Sequence, residues 1–217
     1  MKIKGAIFDL DGTLLDSMDI CQSCATLFVR SQGKEPDKDL DARLEQMSVD
    51  EGNRYIQKAY FPELSAKDVA DMVNSMLISL YSQRDMLKNG VSDMLRDMKD
   101  AGIKTAVATS NSYALATAAL NGNGIGGYID YTVSCDDVGR GKSFPDVYLK
   151  AASLLKLRPG EILVFEDALY ALETAKKAGF ITVSVADKSN IGFRKELVFK
   201  SDFFIETFEN WSDVLNV

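Results

Sequence analysis

"AIFDLDGTLLDS", residues 6–17, carries an apolar run straight into two carboxylates, Asp9 and Asp11, with a Gly12–Thr13 turn directly behind them. Asp and Gly are ordinary turn residues, so taken alone the stretch fits a solvated acidic turn after a core strand. The rest of the chain decides. Short runs rich in Ile, Val and Phe recur at 3–8, 105–108, 131–133, 162–165, 181–185 and 203–205. Most are separated by helix-patterned segments, at 91–101, 113–120, 146–155 and 168–178. Strands alternating with helices predict an α/β fold, a Rossmann-like doubly wound parallel sheet covered on both faces. Such sheets place their sites beyond the C-terminal ends of the strands.

About ninety residues separate the first two strands, far more than a crossover requires. Segments 18–30, 40–46, 50–59 and 66–81 carry helical apolar spacing, for example Val69, Met72, Val73, Met76 and Leu80. An all-helical cap domain inserted over 16–86 follows, leaving 1–15 and 87–217 as the catalytic core. The Met-rich stripe reads as packing, since Met fills cores readily. "NGNGIGG", 121–127, resembles a dinucleotide fingerprint but follows a helix instead of a strand. It is expected to be a helix C-cap and turn with Gly at left-handed positions.

At 217 residues and 46% hydrophobic composition the chain can bury a proper core. Its 32 acidic residues outnumber 25 basic ones, and the net charge of −7 repels nucleic acid and anionic membranes. Any phosphate must therefore be held by local features. Without a signal-like N-terminus or a stretch approaching the ~20 apolar residues of a membrane span, the chain reads as cytoplasmic. It is expected to be a monomer whose partner is a small phosphorylated metabolite. Cys21 and Cys24 form a C-x-x-C, but there is no second pair and no histidine, so zinc or redox chemistry is disfavoured.

Four strand ends carry the chemistry. The first ends in Asp9 and Asp11, the second in Thr109, Ser110 and Asn111, and the fourth in Glu166 and Asp167; Lys142 follows the third. Each has a plain structural alternative: a helix cap for Thr109 or Asn111, a solvated lysine, first-turn acids for Glu166 and Asp167. Convergence on one sheet edge favours function. Like charges ~4 Å apart cost on the order of 4 kcal/mol at an effective dielectric near 20, and a hard divalent cation such as Mg²⁺ relieves this. With no histidine available, an aspartate can attack phosphorus, since its ordinary pKa of ~3.9 leaves it ionised. A second carboxylate then serves as acid/base.

The sequence at this point resembles the haloacid dehalogenase-like phosphohydrolase superfamily, in its β-phosphoglucomutase/phosphoglycolate phosphatase-like subgroup with a helical cap. "DLDGT" at 9–13 is similar to its first motif, Thr109 to its second, Lys142 in "GKSFPDVY" to its third, and "FEDALYALETAKKAGF" at 165–180 to its fourth. The resemblance implies an Asp9 nucleophile and an Asp11 acid/base. It implies Mg²⁺ held by Asp9, the main-chain carbonyl of Asp11, and Asp167 with help from Glu166. Thr109 and Lys142 would hold the phosphoryl group, with Gly12, Ser110 and Asn111 beside them. Ala168 and Ala171 stand where the fourth motif usually has Ser and Gly. The leading expectation is a Mg²⁺-dependent phosphatase for a sugar- or polyol-phosphate-like monoester. Alternatives are a β-phosphoglucomutase-like mutase, an inorganic pyrophosphatase, or a non-enzymatic phosphate-binding protein. Glu45, Gln46, Ser48, Asn53 and Arg54 of the cap are candidate substrate readers.

Overall fold

A computed structural model describes residues 3–44, 47–83 and 85–215. Six strands, β1 (Gly5–Phe8), β2 (Lys104–Thr109), β3 (Tyr131–Ser134), β4 (Ile162–Glu166), β5 (Ile181–Val185) and β6 (Phe203–Ile205), form one sheet. Its order is β3-β2-β1-β4-β5-β6, and every pairing is parallel. Because side chains alternate across a strand, Ala6 and Phe8 enter one core and Ile7 the other. Helices α6 (Val91–Asp100) and α7 (Tyr113–Gly122) cover the first face, and α8 (Asp146–Leu155) and α9 (Leu169–Lys177) cover the second. Helix α10 (Arg194–Lys200) precedes β6. The doubly wound expectation holds because both faces are buried, which is what makes the strands read as near-continuous apolar runs.

Between β1 and β2 the chain builds α1 (Met18–Gln22), α2 (Cys24–Ser31), α3 (Leu40–Leu44), α4 (Val49–Tyr60) and α5 (Ala66–Gln83). They enclose a separate apolar cluster of Ala25, Phe28, Val29, Leu40, Ile56, Phe61 and Val69. Met72, Val73 and Met76 pack against it, as the periodicity implied. One helix expected over 18–30 is instead two. The Ser23 hydroxyl bonds back to the Asp19 carbonyl, and the Asp41 carboxylate accepts from the N–H groups of Ala25 (2.9 Å) and Thr26 (3.2 Å), starting a new helix.

The insertion joins the sheet through a two-stranded neck. Asp16 N donates to Met86 O at 2.7 Å, Lys88 N donates to Leu14 O at 3.0 Å, and Leu15 bridges Leu87 antiparallel. The segment 121–127 is a helix end and turn, but only Gly124 of its glycines has positive φ, at 73°. Gly122 serves a different purpose: a Cβ there would lie 2.6 Å from Ser82 Cα, so α5 and α7 approach backbone to backbone. Gly122→Ala should lower stability by about 1–3 kcal/mol by overpacking, despite alanine's better helix propensity. Urea unfolding checks this, and an unchanged midpoint would contradict it.

Candidate active site

The Asp9 N–H still donates to Phe165 O at 3.0 Å, extending the β1–β4 ladder, so its side chain emerges at the C-terminal edge of the sheet. There it meets Glu166, the last residue of β4, and Asp167; one oxygen from each of the three buried carboxylates lies within 4.8 Å of the others. The turn after Asp9 is shaped around Asp167. At Gly12 φ is 74°, and a Cβ would stand 2.5 Å from Asp167 Oδ2. Thr13 Oγ1 donates to Asp167 Oδ1 at 3.0 Å. The Gly12 N–H itself donates to Leu15 O.

Lys142 is 3% exposed and is not a solvated lysine. Its Nζ pairs with Asp9 Oδ1 and, at 3.0 Å, with Glu166 Oε2. Tyr148 hydroxyl donates to the same Glu166 oxygen at 3.0 Å. Glu166 is therefore a strand-end residue committed to lysine and tyrosine, since α9 begins only at Leu169. Asp11 stands apart from the trio, so the four crowded carboxylates expected from the sequence resolve into three plus one. Its Oδ1 accepts from Ser17 (2.6 Å) and Tyr81 (2.5 Å), and its Oδ2 from Asn111 Nδ2 (2.5 Å).

Thr109 is buried at the end of β2 and accepts from Asn111 N at 3.0 Å; Asn111 O accepts from Ser134 Oγ at 2.6 Å. Neither Thr109 nor Asn111 caps α7, because Ser112 does so by accepting from Leu115 N. Ser110 is exposed beside Cys135, Oγ to Sγ 3.8 Å. Of the cap residues, Ser48 is an N-cap in a capping box with Glu51, while Glu45 and Gln46 lie outside the described residues. All three cysteines are free, and the described residues offer no cysteine-based metal group.

Burial, the Glu166 charge and, more weakly, Asp11 push the Asp9 carboxyl up to about 8, against the opposing pull of Lys142. Burial and Asp9 push Asp167 up to about 7, and burial raises Glu166. Burial alone would lower the Lys142 ammonium, but the facing Asp9 and Glu166 outweigh it. Burial thus works against ionisation of Asp9 while Lys142 favours it. Like charges 4.8 Å apart repel by about 3 kcal/mol at a dielectric near 20. Three buried carboxylates against one ammonium fit a hard divalent cation with oxygen ligands.

Thr13, Ser17, Tyr81 and Tyr148 escaped the sequence reading. Thr13 and Ser17 lie inside the opening stretch and Tyr148 inside the Lys142 motif, but hydroxyl residues there carry no distinctive pattern. Tyr81 had no signal at all, being one apolar position on a helix seventy residues from its partner Asp11.

This sheet order, with a helical insertion after the first strand and an acidic trio at its C-terminal edge, defines a Rossmann-like α/β protein with a helical cap. The family profile for haloacid dehalogenase-like hydrolase matches residues 3–179, and the chain belongs to that family. As a member of that hydrolase family it is an enzyme. The chain is 29% identical to a phosphorylated carbohydrates phosphatase of Thermotoga maritima, covering 82% of each. It is 28% identical to β-phosphoglucomutase of Bacillus subtilis, covering 84% of this chain and 83% of the other. In fold it is similar to CbbY from Rhodobacter sphaeroides in complex with phosphate, with a TM-score of 0.79, 23% identity, and coverage of 99% and 100%.

Carboxylates whose pKa rises on folding bind protons more tightly folded than unfolded, so the cation-free protein loses stability as pH climbs from about 4 toward 8. A divalent cation held by these carboxylates would displace those protons. It should therefore raise Tm by several degrees at pH 8 and much less at pH 5. A pH-independent shift in thermal melts would exclude these carboxylates as the ligands.

Proposed function

We propose that the chain is a Mg²⁺-dependent phosphatase for a small sugar or polyol phosphate, acting through a phosphoryl group carried on Asp9. The buried Asp9–Glu166–Asp167 trio with Lys142 against Asp9 carries this reading. Asp9, Asp167 and the main-chain oxygen of Asp11 would hold Mg²⁺. When bound, the ion supplies positive charge that keeps Asp9 ionised and offsets the charge of the transferring phosphoryl group. Glu166 holds Lys142 in place beside Asp9.

An Asp9 oxygen attacks phosphorus, the bond from phosphorus to the leaving oxygen breaks, and Asp11 donates a proton to the departing alkoxide. Water then attacks phosphorus, Asp11 takes the water's proton, and phosphate leaves with Asp9 regenerated. Lys142 and Thr109 steady the phosphoryl oxygens throughout. The helical cap, proposed as 16–86, swings about the neck to admit substrate and exclude water. Sugar and polyol phosphates are favoured because relatives are a phosphorylated carbohydrates phosphatase and a hexitol phosphatase. We place the enzyme as a monomer in the cytoplasm; no helix among the described residues is long and apolar enough to cross a membrane.

Hydrolysis is favoured over isomerisation by the absence of histidine from the chain. The first cap helix instead presents Cys21 to this network, 3.3 Å from the Tyr81 hydroxyl. Cys21 is exposed, and a thiol with an ordinary pKa of about 8.5 is already a poor proton carrier near neutrality.

Asp9→Asn should leave the fold intact and lower kcat at least ~1000-fold, because an amide is a poor nucleophile. Residual activity above about one percent of the parent rate would defeat the nucleophile assignment. With β-glucose 1-phosphate and a trace of the 1,6-bisphosphate, inorganic phosphate should be the main product. Glucose 6-phosphate outpacing phosphate in a coupled assay would instead establish a mutase.

A further inference from the structure

The turn after β5 contains polar side chains, Asp187, Lys188, Ser189 and Asn190, that the chemistry above does not use. Asn190 is buried and divides its amide between two jobs: Nδ2 donates to Asp167 O at 2.9 Å and Val185 O at 3.3 Å, while Oδ1 accepts from Asp187 N at 3.2 Å. The backbone of a trio carboxylate is thus held by a residue twenty-three positions away. Asp187 uses Oδ1 locally, accepting from Ser189 N (2.8 Å) and Ser189 Oγ (2.6 Å). Its Oδ2 accepts from Lys88 Nζ at 2.7 Å, and the same ammonium donates to Ala186 O at 2.7 Å.

Capping of the 188–193 turn explains the Ser189 contacts but not Lys88. That lysine belongs to the neck, with its own N–H on Leu14 O, and the ion pair is enclosed, at 12% and 2% side-chain exposure. Enclosure separates this pair from Lys188–Asp16, a 3.5 Å contact between the same turn and neck whose side chains are 91% and 55% exposed. An exposed pair contributes little, whereas removing one member of an enclosed pair leaves a buried charge unpartnered. Lys88 pairs with Asp187, Asp187 bonds through its N–H to Asn190, and Asn190 holds Asp167. These contacts connect the neck on which the insertion sits to the peptide that presents a carboxylate to the trio.

We propose that Lys88, Asp187 and Asn190 are positioning residues for Asp167, coupling divalent-cation affinity to the placement of the neck. The proposal rests on the cation reading above. Groups that orient a metal ligand typically change metal affinity 10- to 100-fold when lost. Coupling of this kind is reciprocal, so a bound cation in turn holds the neck.

Mn²⁺ is the probe, counted by the loss of its free-ion electron paramagnetic resonance signal, so that no turnover is needed. Asn190→Ala and Lys88→Met should each raise the Mn²⁺ Kd about 10-fold, while Lys188→Ala leaves it within about 2-fold because that ion pair is exposed. Amide exchange at Asp16 and Lys88 should slow on Mn²⁺ binding in the parent protein and not in Lys88→Met. Where Lys88→Met fails to fold, Lys88→Met/Asp187→Asn, which removes the orphaned carboxylate, replaces it with the same expected Kd. Parent-like affinity in the folded variants overturns the relay and leaves the phosphatase reading standing. Absence of Mn²⁺ binding by the parent protein overturns the cation reading and the relay together.

Discussion

Three carboxylates meet one ammonium at the edge of a sheet where water scarcely reaches them, and this unbalanced charge is the constraint around which the site is arranged. Glu166 is fully buried and survives there by accepting from Lys142 and Tyr148. Lys142 is held charged by Asp9 and Glu166 together. Asp9 and Asp167 are left with burial working against their ionisation. Removing charge from water without compensation is among the most expensive things a fold can do. An apolar core would relieve the expense, but an acidic trio poised to take a cation is an arrangement with a chemical use.

The surrounding structure provides the compensation one donor at a time. Gly12 makes room for the Asp167 carboxylate, Thr13 bonds it, and Asn190 holds its backbone. Asp11, two residues from Asp9, is treated separately: its donors come from the neck, from α5 of the insertion and from the β2–α7 loop. Two carboxylates of the same sequence motif therefore sit in unlike environments, one nearly dry and crowded by charge, the other wrapped in neutral donors. The proposed roles of nucleophile and acid/base fall on these two unlike carboxylates.

The insertion is tied to this chemistry more closely than its separate apolar cluster suggests. Tyr81 belongs to its last helix and donates to Asp11, and Gly122 lets that helix lie directly on α7. The neck adds Lys88 and its buried partner. The cap motion proposed above would therefore disturb hydrogen bonds made to Asp11.

Strand positions and the doubly wound class were legible because a parallel sheet buried on both faces writes itself as short apolar runs separated by amphipathic helices. The ends of those runs were legible for the same reason: a carboxylate or lysine just past a buried strand is conspicuous, and Asp9, Lys142, Glu166 and Asp167 do converge. The break at Ser23 was not, since it depends on Asp41 reaching back from another helix. Nor was the opposition between burial and ionisation at Asp9, because desolvation and groups more than a hundred residues away leave no local signature. Sequence alone determined which residues stand at the sheet edge, since period and spacing are local properties. Tertiary structure decided which of them touch, which donors surround Asp11, and that Glu166 attends Lys142, because desolvation and hydrogen bonding exist only once distant segments have closed over one another.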